Sequence, residues 1–233
     1  GDVGSGKTVV AMCAAYKAVK SGYQATIMAP TAILATQHLE NFKNILKDLN
    51  ITCELLISGI TKKKKSEILE KLKNGEIDIL IGTHAIIEEN VEFKNLGFVV
   101  TDEQHRFGVK QRETLFSKGK EPHMLVMSAT PIPRTLAIIL YGDLDVSVID
   151  VMPVGRLPIK NCVVGTNYRN QAYKFMQKEI AAGHQVYIIC PMVEESENME
   201  AENVTDYTNM LETTMAPSIR IKALHGKMKA SLK

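Results

Sequence analysis

The stretch Gly1-Asp2-Val3-Gly4-Ser5-Gly6-Lys7-Thr8 decides how the rest of the sequence is interpreted. It fits the phosphate-binding pattern G-x-x-x-x-G-K-[ST] at every fixed position. Glycines let backbone N–H groups turn inward around phosphate oxygens, and the helix that follows adds an anion-binding N-terminus. Lys7 supplies a positive charge for the transferable phosphate, and the Thr8 hydroxyl can bind Mg²⁺. We therefore predict that residues 1–8 bind a nucleotide; a glycine-rich turn without a ligand is the alternative.

A phosphate-binding loop normally follows a buried strand, and this sequence begins at the loop itself. We therefore expect the sequence to be a piece of a longer protein.

The composition is that of an ordinary globular protein, with 233 residues, 45% hydrophobic and 23% charged. It contains no run of about 18 apolar residues, the length that a membrane-spanning helix needs. The four cysteines form no C-x-x-C pair, which argues against a metal site or a disulfide framework and fits a reducing cytoplasm. Each is expected to be a small core residue; they are Cys13, Cys53, Cys162 and Cys190.

The net charge of +2 is too small to grip nucleic acid by overall charge, so any such contact must come from local groups. The dense basic run is Lys62-Lys63-Lys64-Lys65. It is interpreted as a solvated loop and helix start, with a phosphate-contacting patch as the alternative.

Short apolar runs alternate with helical patterns over the first 151 residues. This alternation predicts an α/β fold, a parallel sheet with helices on both faces. The predicted strands are 24–29, 51–57, 77–81, 98–101, 123–127 and 146–151, and the predicted helices are 9–19, 34–49, 65–74 and a segment from Pro131 onward. The helix at 9–19 is predicted to be buried, and the apolar face of the second helix is predicted to consist of Leu34, His38/Leu39, Phe42, Ile45/Leu46 and Leu49. In such sheets ligands bind beyond the carboxyl ends of the strands, and the polar clusters described below lie there.

Two prolines and a glycine within residues 152–158 predict a linker. Beyond it, predicted strands at 159–164, 185–190 and 219–224 and a helix at 168–182 begin a second α/β unit. We therefore predict a first domain at 1–151, a linker at 152–158 and a partial second domain at 159–233.

An acidic pair, Asp102-Glu103, follows the apolar run 98–100. A phosphate-loop enzyme needs one carboxylate to hold Mg²⁺ and a second group to orient and deprotonate the attacking water. We assign Asp102 to the metal and Glu103 to the water, with a surface turn as the alternative. A carboxylate at Glu103 favours nucleoside triphosphate hydrolysis, because a small-molecule kinase would place its acceptor hydroxyl there.

Small polar residues follow three other predicted strands. Ser128, Ala129 and Thr130 are placed to relay the state of the phosphate, or to cap the helix that begins at Pro131. Pro30-Thr31 and Thr83-His84 are placed to contact a phosphate chain, or simply to cap helices.

Taken together, these segments resemble the motor core of superfamily 2 helicases. The resemblance is carried by residues 1–8 (motif I), 29–31 with 34–37 (Ia), 82–84 (Ib), 102–105 (II) and 128–130 (III). It is strengthened by three longer strings, DEQHRFGV at 102–109, VMSATPIPRT at 126–135 and YGDLDVS at 141–147, and by PVGR at 153–156 and LHGKM at 224–228.

The longer strings resemble the bacterial members that remodel branched DNA and stalled replication forks. The transcription-repair coupling translocases share GDVG and RFG, and they remain the alternative. His105 and Ser5 favour the fork-remodelling group.

The resemblance implies a RecA-like fold, ATP and Mg²⁺ as cofactors, branched or forked DNA as partner, and a monomer in the bacterial cytoplasm. It implies ATPase roles for Lys7, Thr8, Asp102, Glu103, Gln104 and His105. It implies coupling of nucleotide state to the motor through Gln104, His105, Arg106, Ser128, Ala129 and Thr130. It implies DNA-backbone contacts by Pro30, Thr31, Gln37, Thr83, His84 and, with a helix-surface alternative, Arg134.

Such helicases also carry an N-terminal wedge domain and motifs V and VI, which would lie outside residues 1–233. We therefore expect this segment alone to bind ATP weakly, to hydrolyse it slowly and to unwind nothing. Two other classes remain possible, a P-loop kinase or synthetase with a small acceptor and a regulatory nucleotide-binding module.

Overall fold

A computed structural model of the chain describes residues 1–103, 109–129, 145–151, 155, 157–192 and 203–228. The chain divides into two compact units, residues 1–157 and 158–233. The predicted linker spans this boundary, and four of its residues (152–154 and 156) lie outside the described residues. The domain limits therefore stay predictions.

Five parallel strands form the sheet of the first unit, in the order β2-β3-β1-β4-β5. They are β1 (Gln24–Met28), β2 (Cys53–Leu56), β3 (Ile79–Gly82), β4 (Leu96–Thr101) and β5 (His123–Val126). Every residue of β1 and β3 is buried, as expected for parallel strands covered on both faces. The five predicted strands are confirmed.

The sixth predicted strand, at 146–151, is wrong. The described residues 145–151 form no part of the sheet. Val148 and Val151 are exposed there, while Ile149 lies against Gly1. An apolar run of this length predicts a strand, but the sequence pattern does not show whether the run pairs with a neighbouring strand.

Among the described residues of this unit, four helices flank the sheet: α1 (Lys7–Lys20), α2 (Ala32–Leu46), α3 (Lys62–Asn74) and α4 (Val109–Phe116). A short 3₁₀ helix, His84–Ile87, follows β3.

The core consists of two separate layers. One joins α1 and α2 to strand residues such as Ile27 and Ile81, and the other joins α3 and α4 to alternate strand residues such as Leu80 and Val99. Since successive strand side chains point to opposite faces, this division places helices on both faces of the sheet. The predicted arrangement is confirmed.

Two helix predictions need adjustment. α1 is not buried all round, because Val9 and Val10 are exposed and only Ala11, Met12 and Ala15 are buried. The buried face of α2 is formed by Ala35, His38, Phe42 and Leu46, whereas the predicted face also included Ile45 and Leu49, which are exposed. Helix α4 was not predicted, and the helix predicted from Pro131 onward begins outside the described residues.

Helix α3 has the ends that its sequence predicts. The Thr61 side chain accepts a hydrogen bond from the Lys64 amide at its start, and Gly75 adopts φ 79° at its end. The run 62–65 forms its first turn, which confirms the helix-start interpretation. Lys65 forms an ion pair there with Glu88 at 2.5 Å.

The cysteine prediction holds for one residue of four. Cys53 is buried in β2, and burial raises the pKa of its thiol to about 11. Cys13 and Cys162 are exposed, and Cys190 is half-buried. Cys13 follows the buried Met12 in α1, and its position on the helix leaves it exposed.

The described part of the second unit contains two helices, α5 (Arg169–Ala181) and α6 (Val204–Thr214), with a 3₁₀ turn at Thr166–Tyr168. A small core joins Tyr173, Leu211 and Met215. The predicted helix at 168–182 is confirmed. The Asn203 side chain caps α6 by accepting from the Asp206 amide at 2.8 Å.

The predicted strands at 159–164, 185–190 and 219–224 are wrong, because none of these described segments pairs in a sheet. Val163 and Ile189 are 102% and 94% exposed, so neither packs against a core. β-branched residues favour strands only where a neighbouring strand or helix covers them.

Within the described ranges, no helix is both long enough and apolar enough to cross a membrane.

We predict that Gly82→Ala will strongly destabilise the first unit. A β-carbon at this position would overlap the Leu56 carbonyl oxygen, which is fixed because it accepts from the Thr83 amide. The expected loss is about 3 kcal/mol in free energy of unfolding, measured by urea denaturation followed by circular dichroism. Gly226→Ala in the second unit is the control, because outside its chain neighbours no atom of the described residues lies within 4 Å of the new β-carbon. Equal stability of the two variants would contradict the close approach.

Candidate nucleotide-binding site

The carboxyl ends of the strands are joined by a row of backbone hydrogen bonds. The donor and acceptor pairs, at 2.8–3.2 Å, are Thr83 to Leu56, Ala29 to Gly82, Asp102 to Met28, and Met127 to Thr101. The row continues to the phosphate-binding loop, because the Gly1 nitrogen donates to the Ser128 carbonyl oxygen at 3.4 Å. The structure thus brings residues 1, 29–31, 83–84, 102–103 and 128–129 to one edge of the sheet.

The loop conformation requires its glycines. Gly4 and Gly6 adopt φ of 79° and 92°, which other residues rarely tolerate. A β-carbon on Gly1 would come within 2.8 Å of Ser5 Oγ. Helix α1 begins directly after Gly6, and no side chain caps it. Its first backbone N–H groups have no partner within the helix and suit a phosphate.

The Lys7 ammonium lies over the loop. Its Nζ donates to the carbonyl oxygens of Gly1 at 2.5 Å and Asp2 at 2.8 Å. The positive charge is therefore placed beside the same amides that suit a phosphate.

The Ser5 hydroxyl supplies an observation in favour of a ligand. Its oxygen is buried and has no hydrogen-bond partner among the residues that the structure describes. A buried polar atom without a partner is costly, and such atoms often mark binding sites. The loop as a whole fits a phosphate group.

The acidic pair lies at the end of β4 and is held in place. Asp102 Oδ1 accepts from the Glu103 amide at 3.0 Å, and Asp102 Oδ2 accepts from His38 Nε2 at 2.8 Å. Glu103 has φ 50°, an unfavourable conformation for a residue with a β-carbon, and such strain is found at functional sites.

His38 is a site residue that the sequence did not reveal. It appeared there only as a member of the α2 helix face. The available signal was that a polar residue occupied the apolar side of an amphipathic helix.

The donor set suits Mg²⁺ better than a metal held entirely by protein. In the described part of the chain, no three His, Cys, Asp or Glu residues are grouped so that they could hold an ion. Mg²⁺ is commonly bound by one or two carboxylates together with phosphates and waters. Asp102 and the Thr8 hydroxyl are the groups that would hold it here.

The remaining strand-end residues differ in what they offer. Thr31 acts as a helix cap, since its Oγ1 accepts from the Leu34 amide at 3.3 Å. Thr83 is buried, and Pro30 is half-buried. Gln37 and His84 are exposed, and His84 Nε2 lies 3.3 Å from Ser58 Oγ. Ser128 and Ala129 are half-buried beside the loop.

Five predicted site residues lie outside the described residues, so their roles stay predictions. They are Gln104, His105, Arg106, Thr130 and Arg134.

A parallel sheet that ends in a glycine-lined phosphate loop beside an acidic pair defines a P-loop nucleotide-binding protein. Comparison with known families agrees, since the DEAD/DEAH box helicase model matches residues 1–139. The chain belongs to this helicase family, and the predicted RecA-like fold class is confirmed.

Individual relatives show which helicases the chain resembles in sequence. The chain is 49% identical over 228 residues to the ATP-dependent DNA helicase RecG of Bacillus subtilis, which covers 98% of this chain and 33% of the relative. It is 46% identical to RecG of Thermotoga maritima, covering 98% of this chain and 29% of the relative. The chain thus spans about a third of the length of these relatives.

A solved structure of RecG bound to a three-way DNA junction superimposes with a TM-score of 0.72 and 43% identity. The match covers 91% of this chain and 27% of that one. The resemblance to superfamily 2 helicases is confirmed, and these relatives all carry the name RecG.

We predict that Ser5→Ala will stabilise the nucleotide-free protein. The change removes a buried hydroxyl without a partner, and we expect the free energy of unfolding to rise by about 1 kcal/mol. Thermal and urea unfolding without nucleotide measure it. Thr26→Val is the control, because it removes a buried hydroxyl that does donate, to the Leu80 carbonyl at 3.0 Å, and should destabilise. A loss of stability in both variants would show that the Ser5 hydroxyl is satisfied.

Proposed function

We propose that this chain carries the motor core of an ATP-dependent DNA helicase or translocase that acts on branched DNA and stalled replication forks. The observation that supports this most is the row of strand-end hydrogen bonds, which brings the phosphate loop and the Asp102-Glu103 pair to one edge of the sheet. The identity to RecG across nearly the whole chain supports DNA as the partner.

Each residue of the site has a separate role in the hydrolysis of ATP. The loop amides and the Lys7 ammonium bind the β- and γ-phosphates and stabilise the charge that develops on the transferred group. Asp102 and Thr8 hold Mg²⁺, which neutralises phosphate charge when bound. Glu103 orients the attacking water and accepts its proton.

The DNA-facing part of the proposal rests on the exposed strand-end side chains. His84 is exposed directly after β3, at the same edge as the phosphate loop, and Gln37 is exposed within α2. Thr31 and Thr83 can contribute backbone groups there, because the Thr31 hydroxyl is used as a cap and the Thr83 side chain is buried. We propose that Ser128 relays the state of the phosphate to this edge, and its hydrogen bond from the Gly1 nitrogen to its carbonyl oxygen supports this role. We further propose that the protein works as a monomer in the bacterial cytoplasm.

Two alternatives predict different behaviour. A P-loop kinase would hydrolyse or transfer phosphate without regard to DNA, whereas a helicase motor should be stimulated by it. A transcription-repair coupling translocase would respond to duplex DNA without preferring a fork. ATPase assays of the full-length protein with no DNA, linear duplex and forked duplex therefore separate the three.

We predict that Glu103→Gln in the full-length protein will keep ATP binding and lose hydrolysis. Removing the base should lower phosphate release on forked DNA by about 10²–10⁴-fold, while Lys7→Ala should lose nucleotide binding as well. Glu121→Gln is the matched control, because Glu121 is also a glutamate with positive φ, at 52°, but is exposed and lies on the amino-terminal side of β5. Unchanged phosphate release by Glu103→Gln would refute the assigned role.

A further inference from the structure

His38 is a polar residue buried among apolar ones. It lies on the inner face of α2 with Ala35, Phe42 and Leu46. Only 7% of its surface is exposed. A side chain with two ring nitrogens is costly to bury unless it makes a hydrogen bond, so its contact is informative.

That contact is the carboxylate assigned to the metal. His38 Nε2 lies 2.8 Å from Asp102 Oδ2, and the two side chains are 9% and 13% exposed. An ionised carboxylate can only accept, so Nε2 carries the proton and donates. With so little solvent near the pair, water cannot replace the bond readily.

The bond completes the orientation of the carboxylate. The Glu103 amide already donates to Oδ1 at 3.0 Å, and the Asp102 amide is fixed to the Met28 carbonyl at 3.0 Å. His38 fixes the second oxygen, so the carboxylate plane cannot rotate without breaking a bond. Each oxygen keeps a free lone pair for a metal or its bound water.

We propose that His38 is a positioning residue, which holds Asp102 in the orientation that binds Mg²⁺–nucleotide. This inference rests on the proposed nucleotide site and deepens it. Groups that orient metal ligands affect affinity strongly, with losses of about 10–100-fold when they are removed. His38 also belongs to the helix that carries Gln37, so the same bond joins α2 to the metal site.

A purely structural role would require only that His38 finds some acceptor. The geometry favours the positioning role, because the acceptor is a side chain whose second oxygen and backbone amide are independently fixed. The two roles differ in Mg²⁺ dependence, which a structural histidine would not affect.

The experiment measures binding of a fluorescent ADP analogue to the full-length protein over a range of Mg²⁺ concentrations. His38→Leu removes the donor at similar volume, and it should raise the Mg²⁺ concentration for half-maximal binding about tenfold or more. Nucleotide binding without Mg²⁺ should stay at the wild-type level. His38→Gln, whose amide nitrogen reaches about as far as Nε2, should restore most of the Mg²⁺ affinity. Asp102→Asn provides the value for a site without its carboxylate.

Thr26→Val controls for the loss of any buried hydrogen bond near β4, and it should leave the Mg²⁺ dependence unchanged. Wild-type Mg²⁺ dependence in a folded His38→Leu variant would overturn the proposal, as would an equal loss in Thr26→Val. If the wild-type protein shows no Mg²⁺-dependent nucleotide binding, the proposed function itself is wrong and this role falls with it.

A second measurement on the wild-type protein covers the case in which His38→Leu does not fold. In protein labelled with ¹⁵N-histidine, the His38 signals are assigned from the spectrum of His38→Gln. Adding Mg²⁺ with ADP should shift the Nε2 signal, because the metal polarises the carboxylate that accepts its proton. ADP without Mg²⁺ should shift it much less. An Nε2 signal that does not respond to Mg²⁺–ADP would overturn the positioning role.

Discussion

The structure depends on one constraint, that parallel strands joined by backbone hydrogen bonds end at the same edge of their sheet. The row of bonds from Leu56 across to Ser128 and Gly1 applies this constraint beyond the strands themselves. Segments that lie up to 127 positions apart in sequence are thereby held side by side. Nothing in the local chemistry of the phosphate loop or of the acidic pair would bring the two together without the sheet.

The two-layer core makes this edge rigid. Strands β1 and β3 are buried on both faces, with α1 and α2 on one side and α3 and α4 on the other. A buried strand cannot shift its register without moving its whole set of apolar side chains to the wrong face. The buried strands therefore fix the positions of the polar groups at their ends, and phosphate recognition requires such fixed positions. The loop adds its own restriction, since Gly4 and Gly6 adopt a backbone conformation that other residues rarely take.

The sequence was informative where a local pattern has one physical meaning. The phosphate loop, the acidic strand end and the five apolar runs of the sheet were all predicted, since each has a distinctive composition or period. The sequence was uninformative where the same apolar pattern occurs both in strands that pair in a sheet and in segments that do not. The runs at 146–151, 159–164, 185–190 and 219–224 have the residues of strands, but none of them pairs in a sheet, and Val148 and Val163 are exposed. The exposed Cys13 shows the same limit, because a small residue fits either side of a helix.

The contact between His38 and Asp102 shows why a site can be recognised in part from sequence and completed only in three dimensions. The two residues are 64 positions apart, and neither one's local context names the other. Yet a half-buried carboxylate at a strand end needs donors, and a buried imidazole on the facing helix needs an acceptor, so the hydrogen bond between them offsets the cost of burying both. A polar residue on the apolar face of a helix that packs on a nucleotide-binding sheet is therefore a reason to search the strand ends for its partner. In this chain that search ends at the carboxylate expected to hold the metal, and the helix that carries His38 also presents Gln37 to the outside.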